Sequence, residues 1–169
     1  MCLLVGASGV GKTLLSKRLQ AFAAKGSANL GDAPSTIPTV GTNLVTLSTG
    51  RKQDVTVREL GGCMAPIWHK YFENTNRLIF VIDVSNRMQV STSCIMLLTI
   101  LKNGNLQNTV FLLVLNKVDS PGCMNRIELN TLMKLDEMMK YAKQHITVLE
   151  VSAKEASGLG EVLKWLQDT

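Results

Sequence analysis

Gly6-Ala7-Ser8-Gly9-Val10-Gly11-Lys12-Thr13 is the stretch on which the reading of this chain turns. A short apolar run, Cys2-Leu3-Leu4-Val5, precedes it, and Leu14, Leu15, Leu19 and Phe22 follow at spacings that suit one face of a helix. The chain therefore passes from strand to helix across glycines. In that context the pattern G-x-x-x-x-G-K-[ST] predicts a phosphate cradle, because the glycines let the backbone wind tightly enough for several N–H groups to face one anion. The helix N-terminus adds a field of the same sign. Lys12 then reaches the outer phosphates as a point charge, and the Thr13 hydroxyl is available to Mg²⁺, a cation that takes oxygen donors in octahedral geometry. An ordinary Gly-rich turn between strand and helix is the alternative at this point.

The rest of the composition narrows the setting. A chain of 169 residues with 46% hydrophobic and 18% charged residues reads as one globular domain with a core of its own. Its longest apolar runs, such as Leu78 to Ile82 and Phe111 to Leu115, are far too short to span a bilayer. Cys2, Cys63, Cys94 and Cys123 have no C-x-x-C or Cys/His ligand spacing, and a domain of this size needs no disulfides, so a reducing, cytoplasmic setting is expected. The formal charge is +5, yet the basic residues are spread from Lys12 to Lys164 with no run longer than two, which argues against a nucleic-acid partner. No lipid-anchor signal is evident: position 2 is Cys rather than Gly, and the sequence ends Gln167-Asp168-Thr169. Cys2 itself falls in the predicted first strand and reads as core.

Along the chain, a helix from about Thr13 to Lys25 is expected to stop at Gly26. Ser27 to Ser35 is small, polar and without period, a loop in which flexibility and a partner site are both open readings. Asn43 to Ser48 and Asp54 to Leu60 suggest an antiparallel hairpin turning across Thr49 to Gln53. Ile67, Trp68, Tyr71 and Phe72 have helical spacing. Arg77 to Val84 and Val110 to Asn116 are continuous β-rich apolar runs, as parallel strands covered on both faces require. Between them Cys94, Leu97, Leu98 and Leu101 form a helical stripe. Asn125 with Glu128 marks a helix start, followed by a Leu129, Leu132 and Met133 stripe. The Met-rich piece Leu135 to Tyr141 reads as core packing. Ile146 to Val151 is a strand, and Leu159, Val162, Leu163 and Leu166 form one face of a closing helix. Strands alternating with helices in this order imply an α/β fold with a mostly parallel, doubly wound sheet and one antiparallel edge.

Ligands of such a sheet bind beyond the carboxyl ends of the strands. Two more patterns stand there, Asn116-Lys117-Val118-Asp119 and Ser152-Ala153-Lys154. A carboxylate only accepts hydrogen bonds, so Asp119 suits both N–H groups on the Watson–Crick edge of guanine, whereas adenine would leave it facing an acceptor. Unpaired buried polar groups discriminate strongly, which makes Asp119 a guanine selector. The Ala153 N–H then suits the guanine oxygen, with the stems of Lys117 and Lys154 on the ring faces. A kinase with the same cradle would need a lid and an acceptor pocket. Neither is visible in the sequence.

Together these motifs resemble the Ras-like small GTPases, and further stretches narrow the resemblance to the ADP-ribosylation-factor-like branch. Ile37-Pro38-Thr39-Val40-Gly41 is similar to that branch's first switch. Leu60-Gly61-Gly62, Pro66-Ile67-Trp68, Tyr71-Phe72-Glu73-Asn74-Thr75 and Leu78 to Asp83 are similar to its second switch and fourth strand. The resemblance covers nearly all of Met1 to Thr169. It implies a single G domain over residues 1–169 with a P-loop NTPase fold, a six-stranded sheet with one antiparallel edge strand and helices on both faces. It implies GTP and GDP as ligands, with Gly6, Ala7, Ser8, Gly9, Val10, Gly11, Lys12 and Thr13 on the phosphates and Asn116, Lys117, Asp119, Ser152, Ala153 and Lys154 around the base. Thr39 would close over Mg²⁺ when the third phosphate is present, and the Gly62 N–H would touch that phosphate. Effectors would engage the switches, near Thr39 to Leu60 and Gly62 to Phe72, and an exchange factor and a GTPase-activating protein are implied as well. Peripheral association with membranes is left open.

Three departures from the branch bear on mechanism. Cys63 stands where a glutamine usually orients the attacking water, a task that suits an amide able to donate and accept. Slow intrinsic hydrolysis is the expectation, unless a partner supplies the group; a cycle that hydrolysis never limits is the other reading. Glu59 replaces the aspartate that usually holds Mg²⁺ through water, and its extra methylene changes the reach. Thr42 and Arg58 stand where aromatic side chains usually face effectors, so a different partner set is expected. Trp68 is retained, as interface or as core.

Overall fold

The computed structural model describes residues 1–26, 30–48 and 54–168. The expected hairpin turn at Thr49 to Gln53, and Ser27 to Asn29 of the expected loop, lie outside the described residues. Six strands form one sheet: β1 (Cys2–Val5), β2 (Thr42–Leu47), β3 (Val55–Leu60), β4 (Arg77–Asp83), β5 (Val110–Asn116) and β6 (Ile146–Val151). Their spatial order is β2-β3-β1-β4-β5-β6. Only the β2–β3 pair is antiparallel; β1 pairs in parallel with both β3 and β4, and β4, β5 and β6 continue in parallel. The chain leaves β1 toward one edge and later returns to its other side, so the sheet reverses direction at β1. That reversal opens a crevice at the carboxyl end of β1, where Gly6 to Thr13 lies.

Two apolar layers cover the sheet, as the alternation of side chains along a strand requires. Leu3 and Val5 of β1, Leu78, Phe80 and Ile82 of β4 and Phe111, Leu113 and Leu115 of β5 bury toward one face. Cys2 and Leu4, Ile79 and Val81, and Leu112 and Val114 bury toward the other. The second face is closed by α1 (Lys12–Lys25) and α5 (Leu159–Gln167), and all four residues of the expected α5 face are buried. Helix α1 ends where expected, with Gly26 at φ 70° donating its N–H to the Phe22 carbonyl at 2.9 Å. The first face carries α2 (Val90–Leu101), α3 (Arg126–Met133) and α4 (Leu135–Tyr141). Among the described residues, no helix is long and apolar enough to cross a membrane.

Three details refine or differ from the sequence expectation. Gly62–Tyr71, where the sequence shows only helical spacing, is a helix of 3-10 type, and Pro66 inside it lacks an N–H for an α-helical ladder. In α2 the buried residues are Val90, Ser93, Leu97 and Ile100, so of the expected stripe only Leu97 is fully covered. The helix is apolar nearly all round, and such a helix has no periodicity to say which side faces the sheet. The third is a break at Lys134, whose φ of 55° ends α3 and starts α4 at an angle. Asn125 caps α3 by accepting from the Glu128 N–H at 2.9 Å, as expected. Leu129 and Met133 are buried, but Leu132 is exposed, and in the Met-rich piece Leu135 and Met138 pack on the core while Tyr141 does not.

Candidate functional site

The glycine loop holds its shape through the strand ends around it. Gly11 has φ 95°, a left-handed conformation, and a Cβ there would stand 2.4 Å from the Asn116 amide nitrogen. Asn116, at the end of β5, donates that amide to the Val10 carbonyl at 2.8 Å. Its other side-chain atom, Oδ1, accepts the Ala153 N–H at 3.1 Å. One buried asparagine therefore joins the cradle to the loop after β6. The register explains the meeting, since Asp83, Asn116 and Val151 sit level across β4, β5 and β6.

Lys117 also reaches the cradle. Its Nζ donates to the Gly9 carbonyl at 2.8 Å and pairs with Asp83 Oδ2 at 2.6 Å. Asp119 accepts from the Ser152 hydroxyl at 2.6 Å, and Ser152 in turn accepts the Glu155 N–H at 2.9 Å. Thus Asn116, Lys117, Asp119, Ser152 and Ala153 converge as the sequence suggests. The Lys154 side chain stands apart, exposed, with its Nζ 3.5 Å from Glu155 Oε1.

On the other side of the cradle, Lys12 is buried and folds back so that Nζ donates to the Gly6 and Ala7 carbonyls, each at 2.8 Å. Burial pushes this ammonium down to about 8, against the opposing field of Glu59. The Thr13 hydroxyl lies 2.9 Å from the Thr39 hydroxyl and donates to Glu59 Oε1 at 2.5 Å; Thr39 reaches the same oxygen at 3.1 Å. Glu59 is 0% exposed, and its second oxygen, Oε2, is buried with no hydrogen-bond partner among the described residues. These side chains line a cavity of about 260 Å³ together with Ser8 and Gly62.

Gly62 lies close against the cradle. A Cβ there would stand 2.3 Å from the Ser8 nitrogen, so only glycine lets this backbone approach. Gly61 beside it donates to the Gly41 carbonyl at 2.9 Å, tying the segment around Thr39 to the one after β3. Cys63 is exposed, and its thiol makes one long, weak contact, 3.9 Å from the Thr39 carbonyl. Trp68 resolves to core: it is 2% exposed and donates its indole N–H to the Gly61 carbonyl at 3.0 Å. Arg58 lies over the Tyr71 ring, 5.9 Å from its centroid.

Sequence reading missed Arg18. It is buried on α1 and donates to the carbonyls of Leu30 and Gly31, both at 2.9 Å, Ala153 at 3.2 Å and Lys154 at 2.7 Å. It thereby ties the stretch leading to Thr39 to the loop after β6. A signal was present, because Arg18 stands three residues after Leu15 and one before Leu19, on the apolar face of the helix. Asp83 and Gln89 were also missed; the Gln89 amide donates to the Ser8 carbonyl at 2.9 Å. Asp83 is the last residue of an apolar strand, where the strand-end rule applies.

Comparison with known proteins agrees with this geometry. The fold matches the Arl6 BBS3 small GTPase from Trypanosoma brucei with bound nucleotide analogue GppNp, at a TM-score of 0.82 and 23% identity, over 99% of this chain and 94% of that one. In sequence, the chain is 49% identical over 170 residues to human ADP-ribosylation factor-like protein 16, which spans 100% of this chain and 85% of the human protein. It is 30% identical over 169 residues to ADP-ribosylation factor-like protein 1 of Drosophila melanogaster, 99% of this chain and 87% of that protein. Residues 1–169 match the family model of the ADP-ribosylation factor family. With the glycine cradle, the strand-end motifs and a match along the whole chain in agreement, the protein belongs to the ADP-ribosylation factor family of small GTPases.

Proposed function

We propose that this small GTPase binds GTP and GDP with Mg²⁺, recruits partner proteins in its GTP form, and hydrolyses GTP slowly when alone. The observation that carries the reading is the meeting of Thr13, Thr39 and Glu59 beside the cradle, with one Glu59 oxygen buried and unpartnered. A buried carboxylate oxygen calls for a partner, and two hydroxyls with a carboxylate are the hard oxygen donors that Mg²⁺ takes. The residues fit the ion, and Thr13, Thr39 and Glu59 would hold it, Glu59 directly or through water. Once bound, Mg²⁺ would offset the charge of the phosphate oxygens.

The chain's own residues account for the rest. The loop amides from Gly6 to Thr13 bind the phosphates, and Lys12 turns its donors to them as phosphate oxygens replace the Gly6 and Ala7 carbonyls as its partners, an anionic partner favouring the charged ammonium that burial disfavours. Asp119 accepts from the guanine edge, with the Ala153 N–H turned from Asn116 to the guanine oxygen. Thr39 and the Gly62 N–H read the third phosphate, and its loss frees both segments, which is the switch.

For hydrolysis, water attacks the terminal phosphorus, the bond to the bridging oxygen breaks, and Lys12 with the loop amides stabilises the developing charge. Orienting that water falls to position 63, where a short thiol donates and accepts weakly. Turnover is slow for that reason. A second reading is a cycling GTPase whose partner supplies the missing group. It is favoured by the accessibility of this face, where Cys63 is exposed and Ile37 and Val40 are 84% and 88% exposed.

The test is the nucleotide itself. Chromatography of the ligand released from purified protein, followed by binding of guanine and adenine nucleotides with and without Mg²⁺, should give Mg²⁺-dependent guanine binding. Adenine preference, or binding indifferent to the base, would refute the reading.

A further inference from the structure

Away from the cradle, a cavity of about 670 Å³ opens between α2 and the α3–α4 corner. Its origin is the break at Lys134. There the Lys134 N–H closes α3 on the Asn130 carbonyl at 2.8 Å, and the Asn130 side chain accepts the Asp136 N–H at 2.9 Å and donates to its carboxylate at 2.7 Å. The corner is thus capped on both sides. Met133 and Leu135, flanking the break, go into the core, while Leu132, Met138 and Tyr141 form one wall of the groove.

Helix α2 supplies the other wall. Cys94, Leu98 and Leu101 recur at i, i+4 and i+7, a side of α2 that the core covers only in part. The walls stay partly in water: Leu98 is 36% exposed, Leu132 57% and Tyr141 79%. Contiguous apolar surface of this kind on a folded protein marks a place where something binds. The rim is basic, with Lys102, Lys134 and Lys143 exposed around the apolar floor and Glu137 as the one acid lining it.

We infer that this groove receives an amphipathic helix of a partner protein, with apolar anchors at helical spacing and acidic residues along its flanks. Three features select that occupant. The α2 wall spans eight residues, about 10 Å or two helical turns, the length over which anchors at i, i+3, i+4 and i+7 engage a groove. The groove is open along one side, as a docked helix with a polar outer face requires and as an enclosed acyl chain does not. The three lysines complement acidic flanks, and Met138 gives the floor an adaptable surface. None of the lining residues belongs to the segments around Thr39 or Gly62. The groove is therefore separate from the segments around Thr39 and Gly62.

The test uses the full chain and a labelled helical peptide of about 14 residues with leucines at i, i+3, i+4 and i+7, glutamates beside them and alanines elsewhere, compared with its lysine-for-glutamate counterpart. Fluorescence anisotropy should show the acidic peptide binding about tenfold or more tightly than the basic one, with affinity falling as salt rises. Leu98→Glu and Leu132→Glu, both at partly exposed positions, should abolish binding while guanine-nucleotide binding stays unchanged, which also reports that the variants are folded. Reversing Lys102, Lys134 and Lys143 to Glu should invert the peptide preference. No binding, equal affinity for the two peptides, or binding that survives Leu132→Glu would overturn the inference. So would self-association by light scattering that Leu132→Glu removes, which would make the occupant a second copy, or groove-dependent binding to phosphatidylserine vesicles in place of the peptide.

Discussion

The two sides of the cradle are built differently. On the side of β5 and β6 the polar groups are paired to one another: Asn116 with Val10 and Ala153, Asp119 with Ser152, and Arg18 with the Ala153 and Lys154 carbonyls. On the side of β2 and β3 a few contacts between chain segments hold the arrangement, chiefly Gly61 to Gly41 and Thr39 to Glu59, and Ile37, Val40 and Cys63 stand in water. Segments with few buried contacts are the ones that open at low free energy. A rigid side suits reading a base, which does not change during a nucleotide cycle. A loosely held side suits reading a phosphate, which comes and goes.

That contrast can be broken most sharply at Asp119. Asp119→Asn should lower the preference for GTP over xanthosine triphosphate by about 10⁴-fold, because the new amide donates where guanine also donates. Competition binding with the two nucleotides reads this directly, and unchanged GTP preference would remove Asp119 from the base site. On the other side, Thr13→Asn should weaken Mg²⁺-dependent GTP binding by about 100-fold while binding without the ion changes little, since one ligand of a strict octahedral shell is lost. Isothermal titration with and without Mg²⁺ decides it. Undiminished affinity would place Thr13 outside the metal shell.

Arg18→Ala tests whether the rigid side is rigid for the stated reason. Four carbonyls, that of Ala153 buried and the others partly so, lose a charged donor, so stability should fall by about 2–3 kcal/mol in urea unfolding, and guanine nucleotide should dissociate about tenfold faster. Arg18→Lys should restore only part of both, because an ammonium lacks the planar fork. The smallest effect is expected at Cys63. Single-turnover hydrolysis should rise about severalfold to tenfold in Cys63→Gln, as the amide can orient water. Wild-type turnover as fast as that of the variant would end the slow-hydrolysis proposal.

Much of this was legible before any coordinates. Cradle, strand-end motifs and apolar runs are local patterns read from spacing, so a mostly parallel sheet with one antiparallel edge and the buried face of α5 follow from them; the spatial order of the strands does not. Helix α2 was not legible to the same degree. With Val90, Cys94, Ile95, Leu97, Leu98, Ile100 and Leu101 spread around it, periodicity alone does not select the covered side. The corner at Lys134 was also hidden, because Lys in a left-handed conformation carries no compositional mark as glycine does.

By itself, then, the sequence determined which groups are available: a glycine loop with the pattern of a phosphate cradle, a carboxylate of the kind that suits guanine, and a thiol at position 63. Tertiary structure decided which of these groups meet. It showed the Glu59 oxygen left buried and unpartnered beside two threonine hydroxyls, assigned Trp68 to the core, and gave Arg18 its four carbonyls. The physical reason is that residue type and spacing act over a few positions along the chain, whereas burial and pairing depend on residues tens of positions apart. Arg18 and Lys154 become neighbours only when the parallel strands bring the carboxyl ends of β1 and β6 to the same end of the sheet.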